Sequence, residues 1–253
     1  MKNLLKTMAN RDEARGALGR HSAMLASLVL LLGALPLGHA IAGGSVRFPV
    51  LLALVLTTAV FVNSHQRWIF LVTLVMGAGS VGGIAYSASV GSDFIRIGSQ
   101  VLGLLLLGLT TLVMFNSLLR SKVVSQDTVI GGICVFLLIG LCFAMTFIIM
   151  TDLNPGALLL GGEPLTRSME DTSAHSTICL YFSFVTLTTL GYGDVAPVSE
   201  MARMFAVAEA VIGQLYIAIF VARLVALYVV SSHLGSSDVS SADYSPDVDS
   251  AEG

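Results

Sequence analysis

One short stretch carries residue types and a spacing that could bind an ion through the backbone. It reads Thr188-Thr189-Leu190-Gly191-Tyr192-Gly193-Asp194. Because glycine has no Cβ atom, Gly191 and Gly193 can adopt positive φ, and alternate residues can then turn their carbonyls to the same side as those of their neighbours. A row of carbonyls aimed at one axis can replace the water around a dehydrated cation. We therefore predict backbone ion binding at Thr189, Leu190, Gly191, Tyr192 and Gly193.

The side chains of this stretch are expected to support the carbonyl row. Leu190 and Tyr192 would point outward and pack as a cuff, while the Thr189 hydroxyl would add one oxygen at the inner end. Thr188 and Asp194 flank the row and are expected to support it. One chain supplies only one row, so a ring of carbonyls around an ion needs several chains, and we expect four.

The stretch resembles the signature of the tetrameric potassium-channel pore family, Thr-x-Gly-Tyr-Gly-Asp. The resemblance covers about residues 127–230 and implies a homotetramer that conducts K+ passively, with the ions held at Thr189, Leu190, Gly191 and Tyr192. It also implies an all-α integral membrane protein of six transmembrane helices, with a re-entrant pore helix and a selectivity filter between helices 5 and 6. The expected partners are K+, further copies of the chain and the lipid bilayer. We expect no enzymatic activity, no cofactor and no nucleic-acid partner.

The composition is that of a membrane protein. Of the 253 residues, 55% are hydrophobic and 11% are charged, and the mean hydropathy is +0.85. A soluble domain of this size would not tolerate so much apolar surface. The three cysteines, Cys134, Cys142 and Cys179, lie in apolar context, so we expect buried thiols and no disulfide.

Six apolar segments are long enough to cross a bilayer. They are residues 22–42, 48–63, 68–87, 95–119, 127–151 and 199–231. Cytoplasmic termini place nine basic residues inside and four outside, in agreement with the positive-inside rule. A secretory signal peptide is the alternative for the first segment, but its apolar run is longer than a signal core and lacks a convincing cleavage site. We expect a multi-pass protein of the cell membrane.

The segments divide the chain into four predicted parts. These are a cytoplasmic segment at 1–21, a four-helix domain at 22–121, a pore domain at 122–231 and a disordered acidic tail at 232–253. The first four segments match the six-segment channels in number only. The fourth segment, where such channels often carry a ladder of arginines, has Arg96 and Arg120 at opposite ends and none between them. With no charge inside the membrane field, we expect weak or absent voltage dependence.

Two elements are predicted before the filter. Residues 152–174 predict an acidic outer turret built from turns, and residues 176–188 predict the pore helix.

The predicted pore helix departs from the family at three positions. In that helix Tyr181 and Phe182 stand where many members have two tryptophans, and Val185 stands where some have glutamate. Tyr181 could still hydrogen-bond Asp194, whereas Phe182 can only pack. Potassium selectivity is expected to survive these changes, whereas the rigidity of the filter and its inactivation are the properties that they would alter.

The last segment resembles the inner helix of the family. Gly213 stands at the place of the family's gating glycine, and close helix packing is the alternative role for it. Spacing by four assigns the cavity wall and inner constriction to Ile217, Val221, Val225 and Val229. Glu209 either packs against the back of the pore helix or titrates in function, and His39 is either a proton relay or a neutral imidazole near the outer interface.

Two other classes of function compete with a channel. A secondary transporter would need inverted repeats and a second interrupted segment, which the sequence lacks. A non-conducting auxiliary subunit would have no need of Gly191 and Gly193 together. The gating stimulus stays open, since pH, lipid, tension or a partner at the termini are all compatible with the sequence.

Overall fold

The computed structural model describes residues 24–33, 54–55, 58, 67–120, 126–166 and 172–242. These residues are mostly helical, and the helices are α1 (Met24–Gly33), α2 (Arg67–Val90), α3 (Asp93–Arg120), α4 (Gln126–Leu153), α5 (Thr172–Leu187) and α6 (Glu200–Ala242). The described residues also contain three short strands, namely β1 (Leu158–Leu160), β2 (Glu163–Pro164) and β3 (Val195–Pro197). The predicted segment 1–21, His39, most of the predicted span 48–63 and residues 243–253 lie outside the described residues.

Three of the described helices are long and apolar enough to cross a membrane. They are Asp93–Arg120, Thr128–Leu153 and Glu200–Ala226. Shorter apolar helices at Met24–Gly33 and Leu71–Ile84 fall inside the first and third predicted spans. The chain is thus a mostly helical membrane protein, while the full set of six spans and the tetramer stay predictions.

Helices α2 and α3 pack through small residues. Gly79 and Gly83 of α2 are one turn apart, and a Cβ atom at either would collide with a side chain of α3. In return, a Cβ atom at Gly103 of α3 would lie 2.8 Å from Ser80 Oγ, and the same hydroxyl donates to Ser99 O at 2.9 Å. Small residues spaced by four let two membrane helices approach closely, which gives dispersion contacts without a hydrophobic driving force.

A buried ion pair joins α3 to α4 near the start of α3 and the end of α4. Arg96 Nε lies 3.5 Å from Asp152 Oδ2, and Gln100 Nε2 donates to the same oxygen at 3.0 Å. The Asp152 side chain is only 2% exposed. The prediction that residue 152 belongs to an exposed acidic turret is therefore wrong for this carboxylate, because α4 continues to Leu153 and carries it against α3.

Asp152→Asn is expected to destabilise the chain by about 1.5–3 kcal/mol, since it removes the buried charge that pairs with Arg96 and accepts the hydrogen bond of Gln100. Asp93 supplies a matched control, because it pairs with the same arginine at 2.9 Å but its side chain is 77% exposed. Asp93→Asn should cost at most about 1 kcal/mol. Thermal unfolding of the purified protein in detergent compares the two variants. Equal losses would mean that burial does not set the strength of this pair.

The other end of α3 is held by α6. Arg223 of α6 donates to the carbonyls of Leu118 and Leu119, which are the two residues before the last residue of α3, Arg120. The last carbonyls of a helix have no donor within the helix, so an external donor satisfies them. The arginine therefore caps α3 and ties it to α6.

A small antiparallel sheet follows α4. Strand β1 lies between β2 and β3, with Leu160 opposite both Glu163 and Val195. Gly161 and Gly162 form the two-residue turn, with φ of 59° and 95°, as tight hairpins of this twist require. The sequence predicts this turn but not the strands, and β3 joins the sheet from beyond the filter stretch.

Two helix boundaries differ from the predicted ones. Helix α5 begins at Thr172, one turn before the predicted start at residue 176. Helix α6 begins after Ser199, whose Oγ accepts the Ala202 amide at 3.2 Å as an N-cap. It continues to Ala242, whereas the sequence predicts a disordered tail from residue 232. Extending an existing helix costs far less free energy than starting one, so α6 can continue beyond its packed part. The sequence pattern did not predict this extension, because apolar periodicity marks only the packed part of α6.

Candidate functional site

The filter stretch, residues 188–194, begins where α5 ends in a Schellman motif. The amide of Leu190 donates to Val185 O, and the amide of Thr189 donates to Thr186 O, both at 2.9 Å. This pair of bonds closes a helix around a residue in the left-handed conformation, which is usually glycine. Here that residue is Thr189, with φ of 56°. The helix end therefore fixes Thr189, the first residue of the carbonyl row.

Positive φ alternates along the filter stretch. It occurs at Thr189, at Gly191 (60°) and at Gly193 (80°), with Leu190 and Tyr192 between them. The prediction that both glycines adopt positive φ is confirmed. Thr189 is the only non-glycine residue with positive φ in the described ranges, and a β-branched residue adopts it rarely. Alternation of this kind turns successive carbonyls to one side of the strand.

The filter stretch is open on the isolated chain. Leu190 and Tyr192 are exposed, and a Cβ atom at Gly191 or Gly193 would meet nothing within 4 Å. Packing of the two side chains as a cuff, and ion binding by the five residues from Thr189 onward, stay predictions. In the predicted tetramer, the facing rows come from other copies of the chain.

The outer end of the stretch is held by two contacts with Asp194. Tyr181 donates from its hydroxyl to Asp194 Oδ2 at 2.8 Å, as the sequence predicts. The amide of Gly161, in the hairpin turn, donates to Asp194 O at 2.9 Å. Phe182 is buried and packs edge-to-face on Phe147 of α4, with ring centroids 4.8 Å apart. Helix α5 and the sheet thus support the stretch from both sides.

The inner end of the stretch is held by Thr188 and by the adjacent helix. Thr188 Oγ1 donates to Phe184 O at 2.6 Å, which extends the hydrogen bonds of α5 by one residue. Gly213 of α6 crosses α5 at this level, and a Cβ atom there would lie 2.4 Å from Leu187 O. Close packing therefore accounts for this glycine. Its role as a gating hinge stays a prediction, and α6 runs without interruption through it.

The valine and isoleucine stripe of α6 faces away from the chain's own core. Each of its members is exposed, namely Ile217, Val221, Val225 and Val229. An apolar stripe that its own chain leaves uncovered is compatible with a cavity wall, and that assignment stays a prediction.

Glu209 lies at the meeting point of three helices. Ser183 of α5 donates to Gly140 O of α4 at 2.7 Å and lies 2.5 Å from Glu209 Oε1 of α6. The carboxyl group is fully buried, as expected for a group that faces the back of α5. Ser183 has a single hydroxyl hydrogen, which the bond to Gly140 O uses. A separate hydrogen for the contact with Glu209 must therefore come from the carboxyl group of Glu209. Whether Glu209 titrates in function stays a prediction.

The sequence reasoning missed one contact of the filter stretch. Gln214 Nε2 donates to Thr189 Oγ1 at 3.1 Å, so α6 reaches the first residue of the carbonyl row. A carboxamide next to Gly213, in an otherwise apolar part of α6, was the signal that could have found it. The same helix is fixed to α4 by Tyr216, which donates to Gly132 O at 2.7 Å.

This region of the chain matches a known protein family. Residues 133–230 match the model of a family described as ion channel, and this match covers about two fifths of the chain. No curated protein shows significant similarity to the chain. The matched range runs from α4 to α6 and includes α5, the sheet and the filter stretch. Ion channels are not an enzyme class, and the match supports an ion-channel domain at residues 133–230 of a membrane protein.

Proposed function

We propose that the chain is the subunit of a homotetrameric, potassium-selective channel that conducts K+ passively across the cell membrane. The observation that carries the proposal is the alternation of positive φ at Thr189, Gly191 and Gly193, within a stretch of the type Thr-x-Gly-Tyr-Gly-Asp. A strand of this form can present consecutive carbonyls to a dehydrated ion. The ion-channel match over residues 133–230 supports the same class.

In this proposal K+ exchanges its water for protein oxygens at the level of Thr189 and then passes the carbonyls up to Gly193. Helix α5 ends at the inner end of this row. The negative end of its dipole, repeated in four copies, favours a cation there. Adjacent positions of similar strength let one ion leave as the next one enters, so binding does not stop conduction.

The path toward the cytoplasm is proposed to follow the exposed stripe of α6. Val225 and Val229 are its last members and form the inner constriction in this proposal. A hydrophobic constriction can close by dewetting, without a charged gate. Both termini are cytoplasmic in the proposed orientation, as the positive-inside rule favours.

Asp194→Asn is expected to lower conductance at low salt by up to about tenfold, and less at high salt, because an exposed carboxylate attracts cations over about 10 Å at 0.1 M. Asn can still accept the Tyr181 hydrogen bond, so the change isolates the charge. Single-channel conductance in a salt series measures the effect. Tyr181→Phe is the matched control, which removes the bond and keeps the charge. A loss for Asp194→Asn that is equal at all salt concentrations would point to a structural role alone.

Open probability is expected to change only shallowly with voltage. Moving one charge through the membrane field is worth about 2.3 kcal/mol per 100 mV, but α3 carries its arginines at its two ends. Arg96 is also paired with Asp93 and Asp152. Recording across a wide voltage range tests this, and a steep curve equivalent to several charges would refute it.

A non-conducting auxiliary subunit is the alternative of a different class. It is disfavoured because Gly191 and Gly193 hold positive φ although no packing contact with the described residues requires a glycine at either position. A secondary transporter is disfavoured because one short apolar helix, α5, lies between two long apolar helices, and the described residues contain no second arrangement of this kind.

Flux from liposomes tests the proposal. Purified protein is reconstituted into liposomes that contain potassium chloride and is diluted into sodium chloride, with a proton ionophore to balance charge. The proposal predicts K+ efflux that drives proton uptake, which a pH-sensitive dye reports. Protein-free liposomes are the control. A rate no higher than in the control would contradict the proposal.

A further inference from the structure

Gln214 differs from the other polar side chains of its part of α6. Between residues 206 and 222 the polar side chains are Glu209, Gln214 and Tyr216. Glu209 and Tyr216 are buried and bonded to Ser183 of α5 and Gly132 of α4. Gln214 is exposed on the isolated chain, and its hydrogen bond reaches the filter stretch instead. It therefore does not belong to the packing of α6 on its own subunit.

Both partners of this hydrogen bond are held by rigid structure. Thr189 is the left-handed residue of the Schellman motif, with its amide bonded to Thr186 O. Gln214 follows Gly213, whose missing Cβ allows α6 to approach Leu187 O closely. The separation of 3.1 Å between Gln214 Nε2 and Thr189 Oγ1 thus follows from the crossing of two fixed elements.

The bond has a direction that matters for ion binding. A carboxamide nitrogen only donates, so Thr189 Oγ1 must accept and uses one of its two lone pairs for Gln214. The second lone pair and the hydroxyl hydrogen then take the remaining directions. An oxygen whose orientation is fixed in advance binds a cation better than one that rotates freely, because no rotational freedom of the hydroxyl is lost on binding.

We propose that Gln214 is a positioning residue for the innermost cation site, where it orients the Thr189 hydroxyl toward a dehydrated monovalent cation of the size of K+. The inference rests on the proposed function and deepens it, because it names the residue outside the filter stretch that sets ion affinity at the cavity end. The bond also couples α6 to the carbonyl row, so a movement of α6 at Gly213 reaches Thr189 directly.

Gln214→Met tests the proposal, because methionine matches the length of glutamine and cannot donate. The half-saturating K+ concentration on the cavity side is expected to rise roughly three- to tenfold, the range that single hydrogen bonds between membrane helices support. Limiting conductance should change less. Leu215→Met is the matched control on the next, exposed position of α6 and should leave the half-saturating concentration unchanged.

A double-mutant cycle separates positioning from packing. In a Thr189→Ser background, which keeps the hydroxyl, Gln214→Met should retain its effect. In a Thr189→Val background, which removes the hydroxyl, the same change should have none. Equal effects in both backgrounds would overturn the proposal.

A binding measurement covers variants that do not conduct. Stabilisation of the purified protein by K+ follows from ion binding to the folded state, so the K+ dependence of the unfolding temperature gives the same cycle without flux. A merely structural role of Gln214 would lower the unfolding temperature without K+ and leave its K+ dependence unchanged, which overturns the proposal. If the unmodified protein shows neither K+ flux nor stabilisation by K+, the proposed function itself fails. Normal K+ flux with an additive cycle overturns only the role of Gln214.

Discussion

Gly191→Ala and Gly193→Ala are each expected to abolish potassium flux while the chain still folds and assembles. Their φ values of 60° and 80° lie in the left-handed region, where a Cβ atom costs about 1–2 kcal/mol per residue. In the proposed tetramer, four copies around one axis multiply this cost at the same level of the filter. Among the described residues no neighbouring atom would touch the new methyl group, so the expected loss comes from the backbone turning its carbonyl away.

Gly91→Ala is the matched control for this prediction. Gly91 has a φ of 69° in the turn between α2 and α3, and a Cβ atom there also meets nothing within 4 Å. It therefore introduces the same local strain outside the proposed ion path. Flux should persist in this variant, measured with the same liposomes and at equal protein content. Normal K+ flux through either filter variant would show that the row does not bind ions as proposed.

Gly213→Ala is expected to cause the second large effect, through packing. The new Cβ atom would lie 2.4 Å from Leu187 O, which is backbone and cannot rotate away. Helix α6 must then move away from α5, and the hydrogen bonds between Gln214 and Thr189 and between Ser183 and Glu209 would lengthen. Overpacking of this kind costs about 1–3 kcal/mol per chain. We expect a lower unfolding temperature together with a strong loss of flux.

Gly131→Ala is the control for packing. Gly131 lies within α4, and a Cβ atom there meets nothing within 4 Å. Alanine should therefore stabilise this helix by up to about 1 kcal/mol. The comparison of Gly213→Ala with Gly131→Ala also separates the two roles of Gly213. If Gly213 were only a hinge, alanine would stiffen α6 without lowering the unfolding temperature. If Gly213→Ala keeps its unfolding temperature and changes only the open probability, the packing account is wrong and the hinge account stands.

The conformation of the filter glycines was predictable from sequence, whereas that of Thr189 was not. Gly191 and Gly193 are spaced by two, and only glycine adopts positive φ at little cost, so the pattern itself indicates alternation. Threonine disfavours the same conformation, and nothing in its residue type predicts it. The two hydrogen bonds that close α5 impose it. Local closure of a helix end therefore overrides the preference of the residue.

Contacts between distant segments were the other part that sequence could not supply. Strands of three residues are too short for a periodic signal, and β3 pairs with β1 across the whole of α5 and the filter stretch. Leu160-Gly161-Gly162-Glu163 did carry a hairpin signal, since two glycines between extended residues favour this turn. For Gly213 the sequence left hinge and packing open, because only the crossing point of α5 and α6 shows which atom a Cβ would meet.

The reversal potential under K+ on one side and Na+ on the other tests the central claim most directly. Purified protein in a planar bilayer would be recorded with equal concentrations of the two salts, so that only selectivity generates a potential. The account predicts a reversal potential far from zero and of the sign set by K+, because the carbonyl row from Thr189 to Gly193 is proposed to replace the hydration shell of K+ better than that of Na+. A conducting protein with a reversal potential near zero would contradict the account.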